Sequence, residues 1–194
     1  MSQITRKRRR RADAERSITA ILDAAVEVLG RRPDASMEEI AKASGVARQT
    51  VYAHYPSREA LADAVRERAI ADTVAALDAA ELDSGSPAEA LDRLIASGWQ
   101  TLERYPVLMN LRAELNPQEE HDLHRPILDR LERLVRRGQR LGIFDRRQPS
   151  SWLLAGFIGL SHAAAEEVSA GRMSQDDAAL TLRVSLSRVF GIDR

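Results

Sequence analysis

Apolar residues recur at helical spacing in residues 16–30. A stripe that repeats every three or four residues marks the buried face of an amphipathic helix. Gly30 follows the last apolar position and is expected to end the helix. The stripe consists of Ile18, Ile21, Leu22, Ala25, Val28 and Leu29. The pattern therefore predicts a supporting helix over 16–30.

The next stretch, residues 36–61, has the pattern of a helix-turn-helix. Ser36 followed by Glu39 is a capping box, so a helix should begin at Met37. Gly45 is expected to end this helix and supply the turn, because glycine enters a left-handed backbone geometry at little cost. A second short helix of about two turns follows. The second helix of such a pair usually reads the major groove of DNA.

From residue 57 onward the apolar positions predict further helices and no convincing strand. Pro126 lies inside one of them and predicts a kink or a break, because proline removes a helical hydrogen bond. Start and stop signals place these helices at 57–82, 86–104, 106–115, 116–142, 149–170 and 174–190. The fold class is therefore all-α with about nine helices, a three-helix helix-turn-helix followed by a C-terminal helical domain.

Composition narrows the class of protein. The chain has 194 residues, of which 44% are hydrophobic and 30% charged, as in soluble globular proteins. It has no cysteine, which excludes disulfides and Cys-ligated zinc and is consistent with the cytoplasm. No apolar run approaches the ~20 residues needed to span a bilayer. The basic N-terminus lacks the apolar segment of a secretory signal.

A net charge of zero hides an asymmetry. Residues 1–58 contain 12 Lys and Arg against 7 Asp and Glu, whereas the remainder is acidic by the same margin. Six consecutive basic residues, which include Arg8, Arg9 and Arg10, make 1–15 a basic arm that we expect to be disordered when free. Such an arm can contact phosphates or the minor groove of DNA. The alternative is a solvated tail without a partner.

The residues of 36–61 resemble the DNA-binding end of the TetR (tetracycline-repressor) family. That pattern has an IA pair, a GV turn, a T-hydrophobe-Y-x-H-aromatic run and a basic residue that opens the next helix. The remainder of the chain resembles the family only in its length and helical layout. The matching residues are Ile40, Ala41, Gly45, Val46, Thr50, Val51, Tyr52, His54, Tyr55, Pro56, Ser57, Arg58, Glu59 and Leu61.

The resemblance implies a division of the chain by function. It assigns 1–15 to a basic arm, 16–61 to the helix-turn-helix DNA-binding domain, and 62–194 to a helical regulatory and dimerisation domain. The helix 57–82 is similar to the family's connecting helix. The stretch 83–85 after it is a linker, and it marks the natural break between the DNA-reading part and the remainder.

Base recognition is expected from Arg48 and Gln49, since Arg pairs with guanine and Gln with adenine through two hydrogen bonds each. The resemblance makes Tyr52 and His54 donors to the DNA backbone and Arg58 a phosphate ligand, although Tyr52 could instead be a half-buried ring between helices. Gln49 stands where the family often has glycine, and Ala47 replaces a common serine. The predicted DNA-binding residues are Ser36, Arg48, Gln49, Thr50, Tyr52, His54 and Arg58, with Arg8, Arg9 and Arg10.

Family members usually bind a small molecule inside the C-terminal domain. Apolar walls with a few polar groups are typical of such sites. The alternative is that these residues are ordinary core. His121 and His124 lie three apart and could bind a metal, but a solvated polar turn is favoured, and we predict neither metal nor cofactor. The candidate ligand residues are Trp99, Leu102, Met109, Glu114, Phe157 and His162.

The last two helices are expected to form the dimer interface. A helix-turn-helix needs a second copy to match a two-fold operator, and two helices from each chain would form a four-helix bundle. The alternative is that they close the protomer's own core. The predicted interface residues are Trp152, Gly156, Gly159, Ala163, Leu182 and Leu186.

These features predict a sequence-specific transcriptional regulator. The expected form is a homodimeric repressor that binds a palindromic operator and is released by a small-molecule effector. An activator, or a module that senses a ligand or protein without repressing, is the alternative. The sequence contains no phosphate loop, nucleophile motif or paired catalytic carboxylates, so we do not expect an enzyme.

Overall fold

The computed structural model describes residues 3–108 and 116–192. Eight helices lie within these residues, and no strand does, which confirms the all-α prediction. Seven of the ten residues of the ninth predicted helix, 106–115, lie outside the described residues. The helices are α1 (Gln3–Arg31), α2 (Met37–Ser44), α3 (Arg48–His54), α4 (Arg58–Ala79), α5 (Pro87–Arg104), α6 (Pro117–Leu141), α7 (Ser150–Ser169) and α8 (Gln175–Val189).

Residues 1–68 form one compact unit, which we call the N-terminal unit. The predicted capping box is present at the start of α2, where the Ser36 hydroxyl and the Glu39 carboxylate each accept from the other residue's backbone N–H. Gly45 follows α2 with a φ of 65°, a left-handed conformation. The apolar residues buried in this unit include Ile21, Ala25, Leu29, Ile40, Val51, Leu61 and Val65.

The first helix is longer than predicted. It begins at Gln3 and takes in most of the basic arm, rather than starting near residue 16. Arginine and lysine are good helix formers, and no proline or glycine interrupts the stretch. Asp13 also pairs with Arg16 one turn later. These local preferences outweigh the like-charge repulsion on which the expectation of a disordered arm was based.

Residues 69–194 form the second compact unit, the C-terminal unit. The boundary at 68/69 lies in the same helix, α4, as the predicted 61/62 but seven residues later. Its core contains the T-shaped pair Phe144 and Phe190, whose ring centroids are 5.2 Å apart. Gly138 on α6 lies directly against Phe144, since a Cβ there would come within 2.1 Å of the ring. Other core residues are Leu91, Leu94, Leu131, Leu134, Val135, Leu153, Leu182 and Leu186.

Two arginines bind the loop that connects α4 to α5. Arg93 donates to the carbonyls of residues 80, 81 and 84, and Arg137 donates to those of residues 82, 83 and 85. Residues 80–85 are thus held by six side-chain hydrogen bonds, three of which are to the stretch 83–85 that the sequence marks as a linker.

Of the kink or break predicted at Pro126, the break does not occur. Helix α6 continues through Pro126 from Pro117 to Leu141. Both ends of this helix are capped. Asn116 forms a capping box at the start, and Gly142 adopts the left-handed conformation at the end, with a φ of 72°. A long helix with well-formed ends accommodates the single lost hydrogen bond.

Candidate DNA-binding surface and ligand cavities

Only one residue of helix α3 is buried in the core, and the other six are exposed or half-buried. Val51 is fully buried, whereas Arg48 and Gln49 are exposed and lie on the first turn. Thr50, Tyr52 and His54 are half-buried. Ala47 precedes α3 and provides no side-chain cap. The structure therefore places the two predicted base-reading residues side by side on an exposed turn of the second helix.

Arg48 has two partners within its own chain. Its guanidinium forms an ion pair with Glu38 on α2 and lies over the Tyr52 ring, 5.4 Å from the centroid. Glu38 and Arg48 are ten positions apart on different helices, so their pairing depends on how α2 and α3 pack. Sequence spacing alone offered no signal for it.

Ser36 and Arg58, both predicted to contact DNA, take part in local structure. The Ser36 hydroxyl belongs to the capping box, and Arg58 donates a hydrogen bond to the carbonyl of Pro33 in the loop before α2. Hydrogen bonds from the Ser36 backbone and from Arg32 lower the pKa of Glu39 to about 2. Arg8, Arg9 and Arg10 are exposed on the first turns of α1.

The predicted ligand residues do not form one cavity. Trp99 and Leu102 line a cavity of about 150 Å³ between α5 and the C-terminal half of α7. Here the Trp99 indole N–H donates to the Glu103 carboxylate at 2.7 Å. Sequence reasoning missed Glu103, although its position four residues after Trp99 could have indicated it. Phe157 is a core residue, and Met109 and Glu114 lie outside the described residues.

A second cavity, of about 450 Å³, lies between α6 and α7 and includes His162. The Glu120 carboxylate is 3.5 Å from His162 Nδ1, and the rings of His124 and His162 meet edge to face at 5.4 Å. His124 Nδ1 also lies 2.7 Å from the carbonyl oxygen of Glu120. The apolar wall consists of Leu128, Leu154, Ala155 and Ile158. Across 3–108 and 116–192, no cluster of three or more His, Asp or Glu side chains is arranged to hold a metal ion.

The predicted dimer residues divide between the surface and the core. On α7, Trp152 is 62% exposed, and Gly159 and Ala163 are exposed on the same side. A Cβ added at Gly159 would meet nothing within 4 Å, whereas one at Gly156 would touch Val189 of the same protomer at 3.4 Å.

On α8 the apolar stripe that was predicted to form the dimer interface lies inside the protomer. Leu182 and Leu186 are buried in the protomer's own core because that side of α8 packs against α5 and α7. Leu180 and Val184 are the large apolar residues that α8 leaves exposed. The helix has two apolar stripes, and the more continuous one is used inside the protomer.

Comparisons with known proteins agree with the geometry of the N-terminal unit. Residues 21–65 match the family model for bacterial regulatory proteins of the tetR family. Over 83 residues the chain is 41% identical to the transcriptional repressor LfrR of Mycolicibacterium smegmatis, an alignment that spans 43% of this chain and 44% of LfrR. The crystal structure of LfrR in complex with proflavine matches 89% of this chain and 95% of that one, at a TM-score of 0.73 and 28% identity.

The N-terminal unit contains a DNA-binding domain of the tetR family. The chain is also 28% identical to the transcriptional regulator NfxB of Pseudomonas aeruginosa, over 87% of this chain and 89% of NfxB. Both relatives are helix-turn-helix regulators of transcription. The protein is accordingly a DNA-binding transcriptional regulator, and α2 and α3 form its helix-turn-helix. None of the helices in the described residues is both long and apolar enough to cross a bilayer.

Proposed function

We propose that this protein is a homodimeric repressor that acts on DNA in the cytoplasm, binds a palindromic operator through α3, and is released by a small-molecule effector. The observation that carries the proposal is the exposed first turn of α3. Arg48 and Gln49 lie there, next to the buried anchor Val51. We assign it no catalytic role, and its two named relatives are regulators.

The dimer face that we propose combines α7 and α8. Trp152, Gly159 and Ala163 supply the α7 side, and Leu180 and Val184 supply the α8 side. A large aromatic beside small residues lets two helices approach closely around one anchor, as at many protein interfaces. A two-fold pair of these faces gives two copies of α3 for two half-sites.

The effector that we propose has an apolar body with a positive charge or hydrogen-bond donors. The two cavities described above each combine apolar walls with a carboxylate, Glu103 in one and Glu120 in the other. Such a pairing favours a ligand that donates to the carboxylate while it buries apolar surface. The solved relative LfrR was crystallised with proflavine, which makes proflavine the first compound to test.

Selection of bound duplexes from a random pool at physiological salt tests the core of the proposal. The expected result is a palindrome with two half-sites about one helical turn apart. Recovery of unselected sequences would contradict operator recognition. Addition of proflavine to the recovered complex should release DNA if the effector class is right. Glu103→Gln and Glu120→Gln then identify the cavity, since only the variant of the occupied cavity should weaken release.

A further inference from the structure

The side chain best placed to read a base is paired with a carboxylate of its own chain. The Arg48 guanidinium pairs with Glu38 on the neighbouring helix and lies over the Tyr52 ring. The Arg48 side chain is 64% exposed and the Glu38 side chain 44%. Pairs this exposed are weak, so the contact orients Arg48 without preventing it from leaving.

An arginine at a DNA surface has two competing uses. It can attach to any phosphate, which adds affinity for all sequences, or it can bind guanine O6 and N7, which adds affinity for one. A free arginine finds phosphates everywhere along the duplex, so its charge contributes mostly to non-specific binding. Discrimination therefore rises if something limits the first use and permits the second.

We propose that Glu38 is a specificity-determining residue. It directs Arg48 toward a base edge and repels the DNA phosphates that would otherwise bind the Arg48 guanidinium. Guanidinium has five N–H donors, so Arg48 can present one edge to guanine while another still faces Glu38. A phosphate in the same place brings a second negative charge close to Glu38. This inference rests on the proposed role of Arg48 in reading a base.

The neighbouring Glu39 offers a matched control. It is also a carboxylate on the first turn of α2, but it binds Arg32 and caps the helix at Ser36. Glu38→Gln and Glu39→Gln each remove one negative charge from the same turn. Only Glu38→Gln frees Arg48, so a difference between the two variants separates the specific contact from a general change in charge.

The test measures dissociation constants for the selected operator and for an unrelated duplex of equal length, over a series of salt concentrations. The specificity ratio is the dissociation constant for the unrelated duplex divided by that for the operator. In Glu38→Gln this ratio should fall about two- to fivefold, the range that an exposed ion pair supports. Most of the fall should come from tighter binding to the unrelated duplex. The salt slope of that binding should steepen by about 1, as for one added phosphate contact.

Glu38→Asp should restore part of the ratio, and Glu39→Gln should leave it unchanged. The same Glu38→Gln substitution in an Arg48→Ala background should have no effect on the ratio, because there is no guanidinium left to direct. Circular dichroism checks that each variant keeps its helix content. An unchanged ratio in Glu38→Gln, or an equal weakening toward both duplexes, would overturn the inference.

Arg48→Ala alone distinguishes failure of this inference from failure of the proposed function. Relaxed preference at one base pair in each half-site supports a base-reading role for Arg48. If that relaxation is seen while Glu38→Gln behaves like the parent protein, only the role of Glu38 is wrong. If Arg48→Ala changes no base preference, or no operator can be selected, the proposed recognition fails and the inference about Glu38 falls with it.

Discussion

In the N-terminal unit, the two predicted base-reading residues lie on exposed positions of a seven-residue helix, and a single buried valine anchors that helix. In the C-terminal unit, the corresponding residues line cavities between long helices, and many of their neighbours belong to the core. Local sequence thus determines which groups the first unit presents. In the second unit, tertiary packing decides which side chains are accessible at all.

The two units also differ in their intrinsic fluorescent residues. Both tryptophans of the chain, Trp99 and Trp152, belong to the C-terminal unit. Tryptophan fluorescence therefore reports on the C-terminal unit, whereas helix content measured by circular dichroism reports on both. Changes confined to one unit can be recognised by comparing the two signals.

The largest effect is expected from Gly138→Ala in the C-terminal unit. A Cβ at this position would lie 2.1 Å from the buried ring of Phe144, so the packing of Phe144 on Phe190 must shift. We expect a loss of about 3 kcal/mol in the free energy of unfolding, measured by urea denaturation with tryptophan fluorescence.

Gly98→Ala is the control for this substitution, because a Cβ there meets nothing within 4 Å. It should stabilise α5 by up to about 1 kcal/mol through helix propensity. Equal effects of the two substitutions would show that contact with Phe144 does not limit packing at position 138.

The next effect concerns the proposed dimer face. Gly159→Leu fills open space in the protomer but should block close approach of a second copy. We expect the dimer dissociation constant to rise at least about tenfold, a cost of about 1–3 kcal/mol from overpacking. Sedimentation measurements over a range of concentrations test this. Ala170→Leu, an exposed change beyond the end of α7, should leave association unaltered.

A gain in stability is expected in the N-terminal unit from Ala47→Ser. Ala47 has a backbone conformation compatible with a cap, at φ −57° and ψ 136°, but no side-chain oxygen to offer α3. A serine hydroxyl could accept from a backbone N–H of the first turn and stabilise this unit by about 1 kcal/mol. Thermal unfolding followed by circular dichroism should shift upward. A matching shift in tryptophan fluorescence would mean that the two units unfold together.

The smallest effect is a pH dependence of the capping box. The pKa of Glu39 is about 2 in the folded protein against an ordinary value of 4.5. Because the folded pKa is the lower one, the stabilisation is complete above pH 4.5 and is lost as the pH falls from about 4.5 to about 2. Glu39→Gln keeps an acceptor for the cap but cannot titrate. The difference in unfolding free energy between the parent and this variant should therefore shrink below pH 4.5.

Local signals predicted the helices well. The capping box at Ser36 is present, and Gly45 ends its helix as expected. Each depends on residues three or four apart, which the sequence displays directly. The predicted helix-turn-helix, which also depends on such local signals, is confirmed.

Features that depend on tertiary packing could not be predicted in this way. The stripe of Leu182 and Leu186 was assigned to the wrong side because periodicity marks an apolar face without saying what covers it. The pairing of Glu38 with Arg48 and the meeting of His124 with His162 join residues on different helices. The roles of the DNA-contacting, ligand-binding and dimer residues remain predictions that the proposed experiments address.

The loop between α4 and α5 has a consequence for limited proteolysis. Its sequence, Asp83-Ser84-Gly85, resembles the small and polar segments where proteases usually cut. A protease must draw several residues of extended backbone into its active site. The arginines at positions 93 and 137 hold the carbonyls of this loop in place, so cleavage there would first require local unfolding. Digestion of the folded protein should leave this loop intact, and removal of either guanidinium should make it the first site to be cut.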